Sequence, residues 1–166
     1  MKRRKSITAG ELLEQLSRDE DYQRRMAAQE AELAPFYAEV HADEAELVSE
    51  IQRLGFDIES VWDLVNNRAH PVLRPRFTGP YLAAYPVLVA HLTRPHHQRI
   101  REGIIRALTE RDAASIAAEP LLRELRTERN QMTRWVIANA LRVLIPPKAR
   151  RSFPEIDEAY RAGSGL

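Results

Sequence analysis

The chain has 166 residues, of which 44% are hydrophobic and 30% are charged, and its formal net charge is +1. This composition is typical of a soluble globular protein and argues against disorder throughout, and the length suits one domain or one domain with a helical extension. Cysteine is absent, which excludes disulfides and thiolate metal sites and fits a reducing compartment. No apolar run approaches the ~20 residues of a membrane span, and no apolar segment follows Lys2–Lys5 as in a signal peptide. We therefore expect a cytoplasmic protein without a membrane segment.

The near-zero net charge conceals an asymmetry along the chain. Residues 6–60 contain 14 acidic and 4 basic side chains, whereas residues 61–166 contain 10 acidic and 17 basic ones. Two interpretations stay open at this stage. The acidic helices pack on or near the basic part of the chain, or the basic face is free for an anionic partner.

Residues 1–41 are predicted to form a basic tail followed by a charged N-terminal helical extension. Thr8 and Glu11 have the spacing of a capping box, Ser17 and Glu20 repeat it, and Pro35 is expected to end or kink the helix. The apolar stripe of this extension is too narrow for great stability as an isolated helix. We expect it to dock on its own chain or on a second copy, so self-association through the N-terminal helix is an open alternative.

Residues 42–166 are predicted to form a helical-repeat domain that begins with a helical hairpin at 42–66. Leu47, Ile51 and Leu54 have helical spacing, Gly55 is placed as a C-terminal stop, and Asp57 as the cap of a second helix from 58 to 65. The hairpin is expected to cover the open end of the repeats.

A proline-rich connection follows the hairpin, from residue 66 to residue 80. Three prolines disfavour helix here, and long connections in compact domains are often functional. Its candidate residues are Arg68, His70, Arg74, Arg76 and Phe77.

Two copies of one helical pair follow, at about 81–110 and 112–145, with an offset of 33 residues. Arg101/Arg134, Ile104/Ile137, Ala107/Ala140 and Leu108/Leu141 correspond in the second helices, and prolines Pro86 and Pro120 stand in the first helices. A period of this length is typical of stacked helical repeats. A partial third copy is read at 152–162, where Pro154, Ile156 and Tyr160 match Pro86, Leu88 and Leu92.

These segments, together with Phe56–Asn66, resemble bacterial HEAT-repeat proteins. The resemblance covers about half of the chain and implies an all-α fold, a short α-α superhelix of HEAT-like hairpins with the N-terminal helical extension. It also implies a role in binding rather than chemistry, without a cofactor. With only two full units, a short curved plate is expected rather than a deep groove.

A helical wheel separates the two faces of the second helices. In the second repeat the predicted core side comprises Thr133, Val136, Ala140, Leu141, Val143 and Leu144. The opposite side of the two second helices, expected to be the concave polar face of the stack, supplies the predicted partner-binding residues Arg99, Glu102, Arg106, Trp135, Asn139 and Arg142. Tryptophan and arginine are enriched in interaction hot spots. The alternative is that Trp135 lies under the N-terminal extension or the C-terminal partial repeat.

Other polar clusters give weaker predictions. His91, His96 and His97 lack further ligands at metal-site spacing, so they are read as a polar helix start rather than a metal site. Glu44/Glu46 and Asp19/Glu20/Asp21 are read as solvated faces, and the repeated Arg101 and Arg134 as structural bridges to carbonyls or acids of the next unit. No phosphate loop, nucleophile elbow or zinc-protease motif is present.

The leading prediction is therefore a non-enzymatic protein-binding module, an adaptor or an inhibitor of a partner protein. The main alternative is nucleic-acid binding, in which arginines of the C-terminal repeats follow a phosphate backbone. Its candidates are Arg94, Arg99, Arg106, Arg123, Arg126, Arg129, Arg142, Lys148, Arg150 and Arg151. A small enzyme with an unrecognised site is the third possibility.

Overall fold

The computed structural model describes residues 7–67 and 75–164, and the regular structure of these residues is helical, without a strand. The prediction of an all-α fold is confirmed for this part of the chain. The α-helices are α1 (Ala9–Arg18), α2 (Glu20–Arg53), α3 (Trp62–Asn66), α4 (Tyr85–Leu92), α5 (Gln98–Ala107), α6 (Ala114–Thr127), α7 (Gln131–Leu144), α8 (Pro147–Arg150) and α9 (Pro154–Ser164). Short 3-10 turns at Leu82–Ala84 and Arg111–Ala113 precede α4 and α6.

The chain folds into two compact units, Met1–Glu39 and Val40–Leu166. In the first unit, α1 begins with the predicted capping box: Glu11 N–H donates to the Thr8 hydroxyl, and Thr8 N–H donates to the Glu11 carboxylate. No residue of α1 is buried, and the buried residues of α2 begin only at Val40.

The start and length of α2 differ from the sequence prediction. Asp19 caps the helix by accepting from Tyr22 N–H at 3.0 Å, while the Ser17 hydroxyl donates to the Glu14 carbonyl instead. The helix also continues through Pro35 to Arg53. A proline removes one backbone donor, and here its exposed neighbours are mostly strong helix formers such as alanine and glutamate. Pro35 was expected to end or kink the helix, and it does not end it.

The second unit arranges its helices in two rows. In one row α4 packs against α6, and in the other α3 packs against α5, α5 against α7 and α7 against α9. Contacts of α4 with α5 and of α6 with α7 join the rows into two successive hairpins. We call the exposed side of the second row, α3–α5–α7–α9, the outer face, because the core lies between the rows.

The wheel prediction for α7 holds with one exception. Thr133, Val136, Ala140, Leu141 and Leu144 are buried, but Val143 is 41% exposed and was wrongly assigned to the core. Val143 lies about 120° from Ile137, the centre of the buried stripe, which places it beyond the edge of the core.

Helix α9 does not take the place that the partial repeat predicted. Pro154–Tyr160 was matched to α4, a first helix, yet α9 makes its most extensive contact with α7, a second helix. Its buried residues are Ile156 and Ala159. In consequence α9 extends the second row and lies beside the predicted binding residues of α7.

Close packing in the second row depends on small residues. A Cβ on Gly103 of α5 would lie 2.6 Å from Val61 Cγ1 and 3.1 Å from Trp62 Nε1, so only glycine allows α3 to approach this closely. After α2, Gly55 adopts φ +94°, which accounts for its role as a stop. Within residues 7–67 and 75–164, no helix combines the length and the apolar character that a membrane crossing requires.

Candidate functional site

The α5 residues of the predicted site lie together on the outer face. Arg99 is exposed, whereas Glu102 and Arg106 are half-buried and form an ion pair, with 2.7 Å between Arg106 Nε and Glu102 Oε1. This pair lies one helical turn apart on α5, the spacing at which side chains meet. On the outer face, α5 therefore presents Arg106 with a carboxylate partner and Arg99 without one among the residues that the structure describes.

Trp62 of α3 supports Arg99 from the neighbouring helix. Its indole N–H donates to the Arg99 carbonyl at 3.2 Å, and the Arg99 guanidinium lies 5.5 Å from the centre of its ring. These two contacts hold Arg99 against Trp62 at one edge of the outer face. Trp62 was not among the residues predicted for the site from the sequence; the missing signal was Gly103, whose bare backbone lets the indole reach α5.

Arg106 and Asn139 meet at a cleft between α5 and α7. Val65, Tyr81, Thr109, Glu110 and Val136 complete its lining, and its volume is about 160 Å³. Ligand pockets for small molecules usually measure about 300–1,000 Å³. The cleft is therefore of a size for one inserted side chain rather than for a whole cofactor.

The side-chain amide of Asn139 has no hydrogen-bond partner among the residues that the structure describes, and it is half-buried. Amide groups both donate and accept, so Asn139 can bind a backbone or side-chain group of a ligand that reaches the cleft. Glu110 and Arg106 at the same cleft supply opposite charges.

Trp135 is covered by the C-terminal helix, which was the alternative interpretation. Its ring stacks on Tyr160 of α9, with 6.4 Å between ring centres, and a Cβ on Gly163 would lie 2.4 Å from Trp135 Cβ. The indole Nε1 is buried and has no hydrogen-bond partner in the described part of the chain. Trp135 therefore packs α9 onto α7, and its assignment as an exposed hot spot is corrected.

Arg142 is engaged by the same helix. Its guanidinium lies 3.8 Å from the ring centre of Tyr160 and its Nε 3.6 Å from Asp157 Oδ1. Arg150 Nε lies 3.4 Å from the same carboxylate oxygen and donates through its NH1 group to the Arg142 carbonyl. Thus α9 occupies the Trp135–Arg142 side of α7, and the open part of the predicted site is Arg99, Glu102, Arg106 and Asn139.

Two exposed apolar residues extend this open part and were missed. Met132 and Val143 are 56% and 41% exposed, and both lie on the side of α7 that carries Asn139. The signal was available on the wheel, where both lie about 120–140° from the buried stripe. Val143 had been placed in the core and Met132 had not been considered. We call the set Arg99, Glu102, Arg106, Met132, Asn139 and Val143 the open patch.

The arginines proposed for nucleic-acid binding are mostly paired with carboxylates. Those with a carboxylate oxygen within 4.0 Å are Arg94, Arg106, Arg123, Arg126, Arg142 and Arg150. Exposed ion pairs contribute little to stability, so an arginine in such a pair can exchange its carboxylate for another anion. Nevertheless the interleaved carboxylates place negative charge on the same surfaces, where it would repel a phosphate backbone.

His97 forms the predicted polar helix start, because its Nδ1 accepts from the Arg99 N–H at 3.2 Å, whereas His91 and His96 belong to an internal hydrogen-bonded chain. His91 is fully buried and its Nδ1 lies 3.0 Å from His96 Nε2, while His96 Nδ1 lies 3.2 Å from Asp43 Oδ2. Arg94 NH1 lies 3.0 Å from His91 Nε2. With both imidazoles neutral, Arg94 donates to His91, His91 donates to His96, and His96 donates to Asp43. Each N–H in this chain then has one acceptor.

The charge environment of His91 favours its neutral form. Burial and the nearby Arg94 guanidinium lower the pKa of His91, against the opposing effect of Glu50, whose carboxylate lies 3.6 Å away. Among residues 7–67 and 75–164, no group of three or more histidines and carboxylates is arranged to hold a metal ion. The cluster therefore joins α2 to the turn between α4 and α5.

Glu44 was read as part of a solvated face, and the structure corrects this. Only 1% of Glu44 is exposed, and its Oε2 accepts from the Ser60 hydroxyl at 2.9 Å and from Val61 N–H at 3.1 Å. Asp63, rather than the predicted Asp57, accepts from the amides of Glu59 and Ser60. The start of α3 is thus held by a carboxylate from α2, a long-range contact without a local sequence signature.

The repeated arginines have structural roles, as predicted. Arg101 of α5 binds Glu124 and Glu128 of the second hairpin. Burial opposes the charge of Glu128, but the Asn130 amide and Arg101 outweigh it and lower its pKa. Arg134 differs from the prediction because it donates to the carbonyls of Leu125 and Glu128 in its own hairpin, not to the next unit.

The proline-rich connection is only partly described. Arg68, His70 and Arg74 lie outside the described residues. Arg76 donates to Glu59 at 3.0 Å and lies 3.3 Å from Asp63, and Phe77 packs edge-on against Phe56. These two candidates are therefore engaged in anchoring the connection to the hairpin.

We compared the chain with protein-family models, with curated proteins and with solved structures, and none of the three comparisons finds a match.

Proposed function

We propose that the protein is a non-enzymatic, HEAT-like helical-repeat module that binds a partner protein in the cytoplasm, as an adaptor or inhibitor. The partner contacts the open patch on α5 and α7. The stacking of α4–α5 on α6–α7 supports the HEAT-like superhelix in this proposal, because first helices pack on each other and second helices pack on each other.

One observation carries the binding proposal: exposed apolar side chains flank a partly enclosed polar cleft on one face. On α7, Val143 is exposed about one turn after Asn139 and Met132 about two turns before it, and Asn139 shares the cleft with Arg106. Methionine and arginine are enriched in protein interfaces, where an apolar centre is combined with a few placed polar groups. A partner residue that enters the cleft meets the Asn139 amide and both charges of Arg106 and Glu110.

The chain offers a matched pair of arginines for the test. Arg106 on α5 pairs with Glu102, and Arg123 on α6 pairs with Glu119, each four residues apart. Arg106 belongs to the open patch, whereas Arg123 lies on the other row of helices. Substituting each by glutamate makes the same charge change and breaks the same kind of ion pair.

The experiment is affinity capture from extract of the source cells, with proteins quantified by mass spectrometry. A protein captured by the wild type should be reduced at least about tenfold by Arg106→Glu, since one lost or reversed charged contact in an interface costs more than about 1.4 kcal/mol. Arg123→Glu should capture the same protein as the wild type. Equal capture by Arg106→Glu, or equal loss with both variants, would refute the proposed surface.

A further inference from the structure

The first unit carries a regular row of residues that the proposed function does not use. In the part of α2 from Glu20 to Glu39, four apolar residues and one glutamine repeat at alternating intervals of four and three: Tyr22, Met26, Gln29, Leu33 and Phe36. Alternation of four and three is the heptad spacing of coiled-coil positions a and d. We call these five residues the seam.

The seam is partly exposed in the structure. Met26 and Phe36 are 43% and 39% exposed, Gln29 between them is exposed, and the other two seam residues are half-buried. All five positions fall within about 40° of one line along the helix. Pro35 lies about 140° from this line. It therefore leaves room for a helix packed against the seam.

The glutamine at the centre of the seam narrows the choice of partner. An amide both donates and accepts hydrogen bonds, so two Gln29 side chains can satisfy each other across an interface. Equivalent positions face each other when two identical helices run parallel and in register. A wholly apolar partner would instead leave the Gln29 amide without a hydrogen bond, which costs stability. A polar residue in such a seam lowers affinity but fixes register, and here it favours a second copy of the same helix.

The charges that flank the seam fit a parallel second copy of the helix. With Met26 and Leu33 at position a, Arg25 occupies position g and Glu30 occupies the following position e. In a parallel pair of helices, position g of one chain meets the following position e of the other. Two copies of this helix in parallel would therefore place Arg25 of each chain beside Glu30 of its partner, twice by symmetry.

We propose that a second copy of this chain covers the seam, and that the two α2 helices pair in parallel over Tyr22–Phe36. Each copy contributes the same four apolar side chains, one amide of the central pair and one half of each ion pair. The contact extends over little more than two heptads, so the dimer is expected to be reversible and dependent on concentration. The open patch consists of residues of the other unit.

The first experiment is sedimentation equilibrium of the full chain over about a hundredfold range of concentration. The wild type should reach twice the chain mass of 19.1 kDa, and the seam variant Met26→Glu/Leu33→Glu should remain at the single-chain mass. The control Ala27→Glu/Ala34→Glu adds two charges at the same spacing on the outward side, and it should dimerise like the wild type. A wild type of single-chain mass throughout the range, or a seam variant that still dimerises, would overturn the proposal.

The second experiment tests the direction of pairing without touching the seam itself. Arg25→Glu alone and Glu30→Arg alone each place like charges in contact twice, and each should raise the dissociation constant about tenfold at low salt. In an equimolar mixture of these two variants both contacts are between opposite charges again. The mixture should therefore form a heterodimer of nearly wild-type affinity. A mixture that associates no better than the separate variants would exclude the parallel arrangement.

Discussion

The approach of α3 to α5 at Gly103 gives a prediction whose size follows from the structure. In Gly103→Ala the added Cβ meets Val61 Cγ1 at 2.6 Å, and Val61 is fully buried. Overpacking of this kind costs about 1–3 kcal/mol. Replacing a helical glycine by alanine stabilises a helix by about 0.8–1.0 kcal/mol. The net expectation is a loss of up to about 2 kcal/mol in the free energy of unfolding, whereas helix propensity alone predicts a gain.

A double-mutant cycle isolates the contact. Val61→Ala removes the methyl group that collides with the new side chain, so Gly103→Ala should cost less in that background than in the wild type. For residues in contact, the coupling energy is about 0.5–3 kcal/mol. Urea denaturation followed by far-UV circular dichroism measures all four proteins. Strict additivity, or a stabilised Gly103→Ala single variant, would show that α3 does not lie against α5 as described.

Three further predictions concern other contacts of the second unit. Trp135→Ala should lower the free energy of unfolding by about 2–4 kcal/mol, because the indole packs beneath α9, and a variant of unchanged stability would contradict that position. Glu44→Ala should cost about 1–3 kcal/mol in denaturant titrations, since the buried Val61 N–H loses its acceptor; a neutral effect would mean that this bond is not formed. Mainly through burial, the pKa of His91 is lower in the folded state than in the unfolded chain. Below about pH 6.5 the unfolded chain therefore binds more protons, and the free energy of unfolding should fall as the pH is lowered through that value. His91→Gln should flatten this decline in pH-dependent denaturation, and an unchanged slope would locate the effect elsewhere.

Much of the fold follows from local patterns in the sequence. The period of about 3.6 residues locates α4 to α7, because each of them buries one apolar stripe, and the Thr8–Glu11 capping box and the Gly55 stop depend on chemistry within one turn. The offset of 33 residues indicates equivalent hairpins. Such features involve residues that are close in the sequence, so they can be predicted without knowing which helices pack against each other.

The remaining features depend on contacts between distant residues. Trp135 faces outward on the wheel of its own helix, and only the position of α9 determines that it is covered. Glu44 lies in a highly charged segment, and its burial results from the start of α3, 16 and 17 residues further along the chain. Likewise, the hydrogen-bonded chain from Arg94 through His91 and His96 to Asp43 joins distant segments, and no regular sequence spacing predicts that they meet. For the candidate site, periodicity therefore predicted which side of α5 and α7 faces outward, but not which part of it α9 covers.

The central claim is that a partner protein contacts the open patch, and site-specific photo-crosslinking tests it most directly. A photoreactive amino acid replaces Met132 on α7 in one protein and Ile116 on α6 in another; the two positions are 56% and 39% exposed and lie on different rows of helices. In source cells, position 132 should crosslink to a protein of defined mass, and position 116 should give no crosslinked product of that mass. Crosslinking to the same protein from position 116 but not from position 132 would contradict it.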